Sequence, residues 1–246
     1  MTIYLLVLIF FIIAAVYASV GLGGGSSYVA ILLVAGLAVQ DVRLMALLCN
    51  IIVVGGASYR YVIAGAVPWR KILPIVLLSV PLAYIGGTIS LSSSTYTGLA
   101  GVALLIAAAL LVSERHLSVA YDRKPTAVLS AVGGGIGFLS GLIGIGGGIF
   151  LAPLLHLTRW EEAKTICVTA SIFILVNSLS GMAGQLQQQP SIDVQQLILL
   201  GMAVLIGGQI GTRYSIKVLS PHHIRRITGI LVGIVAIRLL YTTFVS

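Results

Sequence analysis

No charged residue interrupts the chain between Ile3 and Val39. As a single α-helix, at 1.5 Å per residue, that stretch would be about 55 Å long, against a bilayer hydrocarbon core of about 30 Å. It therefore has to turn or break. The place for the break is Gly21-Leu22-Gly23-Gly24-Gly25, four glycines in five positions, each costing roughly 1 kcal/mol against alanine in a helix interior. The same pattern returns as Gly144-Ile145-Gly146-Gly147-Gly148 inside a second apolar run from Thr126 to Thr158, displaced by half the length of the 246-residue chain. Tight packing of helices on small residues is one use for such glycines. Their recurrence at matching places in two halves favours another, a backbone break whose free polar groups face a cavity.

A mean hydropathy of +1.12, with 59% hydrophobic and 8% charged residues, leaves too little polar surface for a soluble globule of this size and identifies a multi-span membrane protein. The formal net charge of +8 then speaks first about topology and anionic lipid headgroups, and argues against nucleic acid as a partner because no soluble basic domain is present to carry it. Cys49 and Cys167 both lie in apolar segments and read as buried thiols, with neither a disulfide nor a metal site expected. The first apolar stretch has no basic residue before it and no small-residue cleavage site after it, so it reads as part of the fold.

Besides the two long runs, apolar segments extend over roughly 44–63, 72–91, 95–112, 165–182, 194–212 and 227–244, each the length of one crossing. If each long run crosses once, lysines and arginines divide almost evenly between the two sides. If each is a hairpin turning at its glycines, Arg60, Arg70, Lys71, Arg115, Arg123, Lys124, Arg159, Lys164, Arg213, Lys217, Arg225 and Arg226 share one face. Arg43 alone is then left in a loop on the other, with Arg238 inside the last helix. That bias selects the hairpin arrangement with the twelve basic residues cytoplasmic and both termini outside.

The expected fold is all-α and polytopic. It comprises two inverted repeats, 1–113 and 126–246, each a glycine-broken helical hairpin plus three transmembrane helices, joined by a cytoplasmic linker at 114–125. Asp41 and Glu162 fall at the starts of corresponding helices, Gly86-Gly87 matches Gly207-Gly208, and Thr97-Gly98 matches Thr228-Gly229. The second hairpin limbs, near Ser26 to Ala38 and Ile149 to Thr158, are short enough to be re-entrant, and Pro153 is expected to keep the second one short. Pro74 and Pro81 are expected to bend their segment.

No HExxH, CxxC, P-loop lysine or GxSxG pattern is present, so hydrolysis, redox chemistry and nucleotide-driven pumping have no machinery here and no cofactor is expected. What remains is a transporter or a channel. Exposed amides at a broken helix suit an anion. The candidate substrate-binding residues are therefore Gly23, Gly24, Gly25, Ser26, Ser27, Gly146, Gly147 and Gly148, joined by Asn50, Ser171 and Asn177 from the helices that follow the hairpins. Asn50 is the most isolated polar residue in an apolar run, and the spacing of the two halves pairs it with Ser171. His156 is the one intramembrane group that titrates near neutrality, so proton coupling would use either His156 or the substrate itself. The acids all lie in or beside loops.

The paired glycine blocks, the second continuing as Gly144-Ile145-Gly146-Gly147-Gly148-Ile149-Phe150-Leu151-Ala152-Pro153-Leu154-Leu155, resemble the signatures of the TauE/SafE sulfite exporter family. The resemblance covers nearly the whole chain, including its length and internal duplication; Ala30 stands where the first block would match Pro153. Ser171 and Asn177 resemble the polar positions that follow the second block in that family. The resemblance implies a multi-pass protein of the bacterial inner membrane that moves sulfite or an organosulfonate, with export as the direction. An anion channel and a non-transporting membrane assembly protein are the alternatives.

Overall fold

The computed structural model describes residues 2–19, 21–112, 126–158, 160–189, 193–214 and 221–245. The linker at 114–125 lies outside them, as do Arg159, Lys217 and residues 190–192. The described residues form ten helices and no strand: α1 (Ile3–Ser19), α2 (Gly25–Val34), α3 (Val39–Ile63), α4 (Trp69–Thr88), α5 (Ser93–Val112), α6 (Thr126–Ile143), α7 (Gly148–Leu157), α8 (Ala163–Leu186), α9 (Val194–Tyr214) and α10 (Pro221–Val245). The protein is an all-helical, polytopic membrane protein. Five helices, α3, α4, α5, α8 and α9, are long and apolar enough to cross a membrane among the residues described. Leu73, Leu77 and Ile85 on α4 and Ile198, Met202 and Ile206 on α9 are exposed, the apolar coat that lipid, not water, would cover.

Both glycine blocks end a helix and start a short one. α2 and α7 are 10 residues each, about 15 Å, half of a hydrocarbon core. Pro153 lies inside α7, yet α2, with Ala30 in its place, is equally short. The expectation that Pro153 sets the limb length is therefore corrected: the chain after each half-helix leaves to begin α3 or α8. Pro74 and Pro81 are accommodated within a continuous α4. Asp41 sits in the first turn of α3 and Glu162 is the N-cap residue of α8, where a negative charge complements the helix dipole.

The two halves interlock. α4, from the first half, packs on α6 and α8 of the second; α9, from the second half, packs on α1 and α3 of the first; α5 and α10 pair with each other. The contacts of the halves thus correspond pair by pair. Glycine permits the closest crossings: a Cβ on Gly137 would lie 2.5 Å from the Ser79 carbonyl, and one on Gly141 would strike the Ala83 carbonyl. Gly207 and Gly211 on α9 meet the Phe11 and Ala15 carbonyls of α1 in the same way. Four-residue spacing of small residues brings backbones together without a water-driven hydrophobic force, which lipid does not supply.

Arg43 requires the largest correction to the sequence reading. It is not a loop residue on the outer face but part of α3, 1% exposed. Its guanidinium donates to the carbonyls of Ile89 (3.0 Å), Gly86 (3.2 Å), Gly87 (3.4 Å) and Gly141 (3.2 Å). Those acceptors belong to the last turns of α4 and α6, whose carbonyls have no intrahelical partner and carry partial negative charge. The Ile143 carbonyl at the end of α6 takes the Tyr96 hydroxyl at 2.8 Å. At a different place the ammonium of Lys71, near the start of α4, pairs with Glu161 in the α7–α8 connection.

Candidate functional site

The half-helices α2 and α7 both begin at a glycine in the left-handed region, Gly24 with φ 83° and Gly147 with φ 75°. A side-chain-bearing residue would carry about 1–2 kcal/mol of strain in that conformation. Neither helix has a side-chain cap. Ser27 and Tyr28 donate to the Gly24 carbonyl, and Phe150 and Leu151 to the Gly147 carbonyl. The amides of Gly25 and Ser26, and of Gly148 and Ile149, are therefore the leading donors of the two N-termini, the positive ends of the helix dipoles.

These two N-termini converge. Asn50, in the middle of α3 and 0% exposed, donates from Nδ2 to the Ile145 carbonyl at 3.0 Å, so it bridges to the second glycine block from the element that follows the first. A Cβ on Gly23 would stand 2.5 Å from Asn50 Oδ1, one on Gly146 2.5 Å from Asn50 Nδ2, and one on Gly25 would collide with both Asn50 Nδ2 and the Ile145 carbonyl. Glycine at Gly25 and Gly146 is what lets the two broken strands of backbone approach one asparagine. A cavity of about 10 Å³ remains between them, lined by Tyr17, Leu22, Gly23, Gly24, Gly25, Ser26, Asn50, Ile145, Gly148, Ile149 and Ile174. That is room for about one water. In this conformation the centre is closed.

The candidates from the sequence divide by position. Gly23, Gly24, Gly25, Ser26, Asn50 and Gly148 line the cavity. Gly146 and Gly147 lie behind it, the first against Asn50 and Ser178, the second against Phe173 and Ile136. Ser27 is bonded to the Tyr17 hydroxyl at 2.8 Å. Ser171 donates to the Gly21 carbonyl at 2.8 Å and so ties α8 to the first break. Asn177 donates to the Phe173 carbonyl of its own helix at 2.8 Å. His156 is in the last turn of α7, about 12 Å along the axis from Gly148. Cys49 is buried and Cys167 partly so, and neither is in a disulfide.

The pairing of Asn50 with Ser171 is also corrected. Gly25 faces Asn50 as Gly148 faces Ile174, and Gly21 meets Cys167 as Gly144 meets Arg43. The partner of Asn50 in the second half is Ile174, nearly one turn beyond Ser171. The site is consequently polar on its α3 side and apolar on its α8 side. Ile174 and Tyr17 line it without having been singled out in the sequence. An isoleucine in an apolar helix carries no signal of its own, whereas Tyr17 precedes the first block by one helical turn.

Several buried polar atoms have no partner in the protein: Ser26 Oγ, Asn50 Oδ1, Ser140 Oγ, Asn177 Oδ1 and Ser178 Oγ among them. Unpaired groups of this kind are costly away from water. Two of them, Ser26 Oγ and Asn50 Oδ1, belong to residues that line the cavity, which marks it as a place built for something other than packing. No His, Cys, Asp or Glu cluster able to hold a metal ion occurs among the described residues.

Comparison with known proteins agrees with the architecture. The chain is 29% identical to the "Probable membrane transporter protein y4hK" of Sinorhizobium fredii over 241 residues, covering 96% of this chain and 97% of that one. It is 22% identical to the "Probable membrane transporter protein MJ0441" of Methanocaldococcus jannaschii over 194 residues, 74% of this chain and 72% of that protein. No solved structure matches it. The family model described as "Sulfite exporter TauE/SafE" matches residues 6–239. With that match running almost from end to end over a helical bundle broken twice by glycine, the chain belongs to the TauE/SafE sulfite exporter family and is a membrane transporter, not an enzyme.

Proposed function

We propose that this transporter moves a small anion, sulfite or an organosulfonate, outward across the bacterial inner membrane by alternating access. The observation that carries the reading is the convergence of two half-helix N-termini on Asn50, with the unpaired Ser26 hydroxyl at the same cavity. Backbone donors at helix ends hold an anion without a fixed cation, and substrate sites between broken helices near the mid-depth of the membrane are a recurring design in secondary transporters. The corresponding contacts of the halves support an inverted repeat, 1–113 and 126–246, with the substrate between them. A cavity of about 10 Å³ is too small for a polyatomic ion, so transport requires the two breaks to separate. The interlocked α4 and α9 would move with the half they pack against, giving access first from one side and then from the other.

The test is uptake into proteoliposomes containing the purified protein, with radiolabelled sulfite, sulfate, methanesulfonate and small carboxylates offered in turn under an imposed pH gradient. Saturable flux of sulfite or a sulfonate is expected, with carboxylates transported poorly. Absence of saturable flux for every anion would overturn the reading, and a flux linear in concentration would mark a channel instead.

A further inference from the structure

The Asn50 amide is only half used. Nδ2 has two hydrogens, of which one goes to the Ile145 carbonyl, and Oδ1 is buried with no partner at all. The orientation is fixed chemically: turning the amide over would set Oδ1 against the Ile145 carbonyl, acceptor against acceptor. A donor hydrogen and an acceptor oxygen therefore remain on one side chain at the cavity wall. A fully deprotonated oxyanion satisfies only the donor. The acceptor needs an O–H.

Charge gives a second, independent constraint. No Lys, Arg, His, Asp or Glu lines the cavity, and the nearest described arginine on the same helix, Arg43, is engaged by carbonyls of α4 and α6. The positive charge at the centre is that of two helix N-termini, each equivalent to about half an elementary charge. Together they balance one negative charge and leave a second uncompensated in a buried site. The titratable groups about the site are the phenols of Tyr17 on α1, in its lining, and Tyr28 on α2, against Gly24, with the thiols of Cys49, next to Asn50 on α3, and Cys167 on α8, against Gly21; none of these normally changes charge near neutrality.

Resting on the anion-transport reading above, we propose that the ion taken at this site is a hydrogen oxyanion: a monoanion, such as hydrogensulfite, that donates its own O–H to Asn50 Oδ1 while its charged oxygens accept from Asn50 Nδ2, Ser26 and the amides at the starts of α2 and α7. The substrate thereby carries one proton across the membrane with it, and His156, at the far end of α7, takes no part. Asn50 is the residue that distinguishes the protonated ion from the bare one.

Wild-type protein in proteoliposomes tests this. Sulfite uptake is measured at a series of external pH values bracketing the second ionisation of sulfurous acid, near neutrality. The KM for total sulfite should rise about tenfold per pH unit above that ionisation while remaining constant when expressed as hydrogensulfite. Methanesulfonate, a monoanion without an O–H, should compete at least about tenfold less well, because it leaves Oδ1 unpaired. In the variant Asn50→Leu, assayed at equal yield of folded protein, any residual flux should lose that preference. A KM for total sulfite that is flat across the series, or methanesulfonate competing as well as hydrogensulfite in the wild type, overturns the proposal while leaving anion transport standing. Absence of saturable sulfite flux at every pH overturns both.

Discussion

Gly25→Ala is expected to abolish saturable anion uptake and to lower the thermal stability of the purified protein. The new Cβ would be driven into the Ile145 carbonyl and Asn50 Nδ2 together. The carbonyl is backbone in the break between α6 and α7 and cannot turn aside as a side chain would, so the two breaks must move apart. Overpacking a tight contact costs about 1–3 kcal/mol, and here the displacement also removes the 3.0 Å bond from Asn50 to the Ile145 carbonyl that sets the two N-termini against one another. Gly55→Ala is the control. It lies on α3 little more than one turn beyond Asn50, where a Cβ meets nothing within 4 Å, and should be neutral or stabilising by up to about 1 kcal/mol through helix propensity. Equal loss in both variants, read by uptake and by thermal unfolding in detergent, would show that glycine content and not the meeting of the breaks is what matters.

The second large effect belongs to Arg43. Replacing it by methionine keeps much of the side chain's bulk but removes the donor shared by four carbonyls; Gly87 and Gly141 keep the amides of Gln188 and Gln185, whereas Gly86 and Ile89 lose their side-chain partner. Hydrogen bonds to a charged group contribute about 1.5–3 kcal/mol each, and buried unpaired acceptors carry a further penalty. The expected loss is at least about 3 kcal/mol, enough to deplete folded protein in the membrane. Arg43→Lys should rescue only in part, because one ammonium cannot reach acceptors spread over two helix ends as a planar guanidinium does. Folding yield by size-exclusion chromatography and unfolding temperature are the readouts. Wild-type stability in Arg43→Met would mean that those carbonyls find other partners.

The misreading of Arg43 shows where the sequence runs out. Beside Asp41 and after a short connection it has the local look of a loop charge, and counting it there cost little because twelve other basic residues carried the argument. Its burial is determined by Gly86, Gly87 and Gly141, far away in sequence, and nothing near Arg43 announces that two helices end against it. The glycine breaks were legible for the opposite reason. Residues 3–39 are too long for one crossing and carry four glycines within positions 21–25, where a helix should be, so the conflict is local. The positions of α3 and α8 followed from apolar segments flanked by Asp41 and Glu162.

What could not be read was which residues the breaks would touch. Matching Asn50 to Ser171 relied on the spacing of the Gly86-Gly87 and Gly207-Gly208 landmarks, and the connections between helices shift that register. The helices themselves start at Val39 and Ala163, which brings Ile174 opposite Gly148 instead. The difference decides the chemistry, since it gives the site one amide and one aliphatic wall where two polar groups were expected. Ser26 and Ser27, inseparable by sequence, are separated by Tyr17, which takes the Ser27 hydroxyl and leaves Ser26 facing the cavity.

The central claim is that an anion sits between the first turns of α2 and α7, beside Asn50. Crystals grown or soaked with selenite, whose selenium can be located by anomalous scattering, test it most directly. The expected result is one strong peak within hydrogen-bonding reach of Asn50 and of the amides that open α2 and α7, at Gly25 or Ser26 and at Gly148 or Ile149, and its loss in Asn50→Leu crystals. Selenium bound instead at Lys71, or at another basic surface residue, with the centre unchanged at saturating selenite, would contradict it.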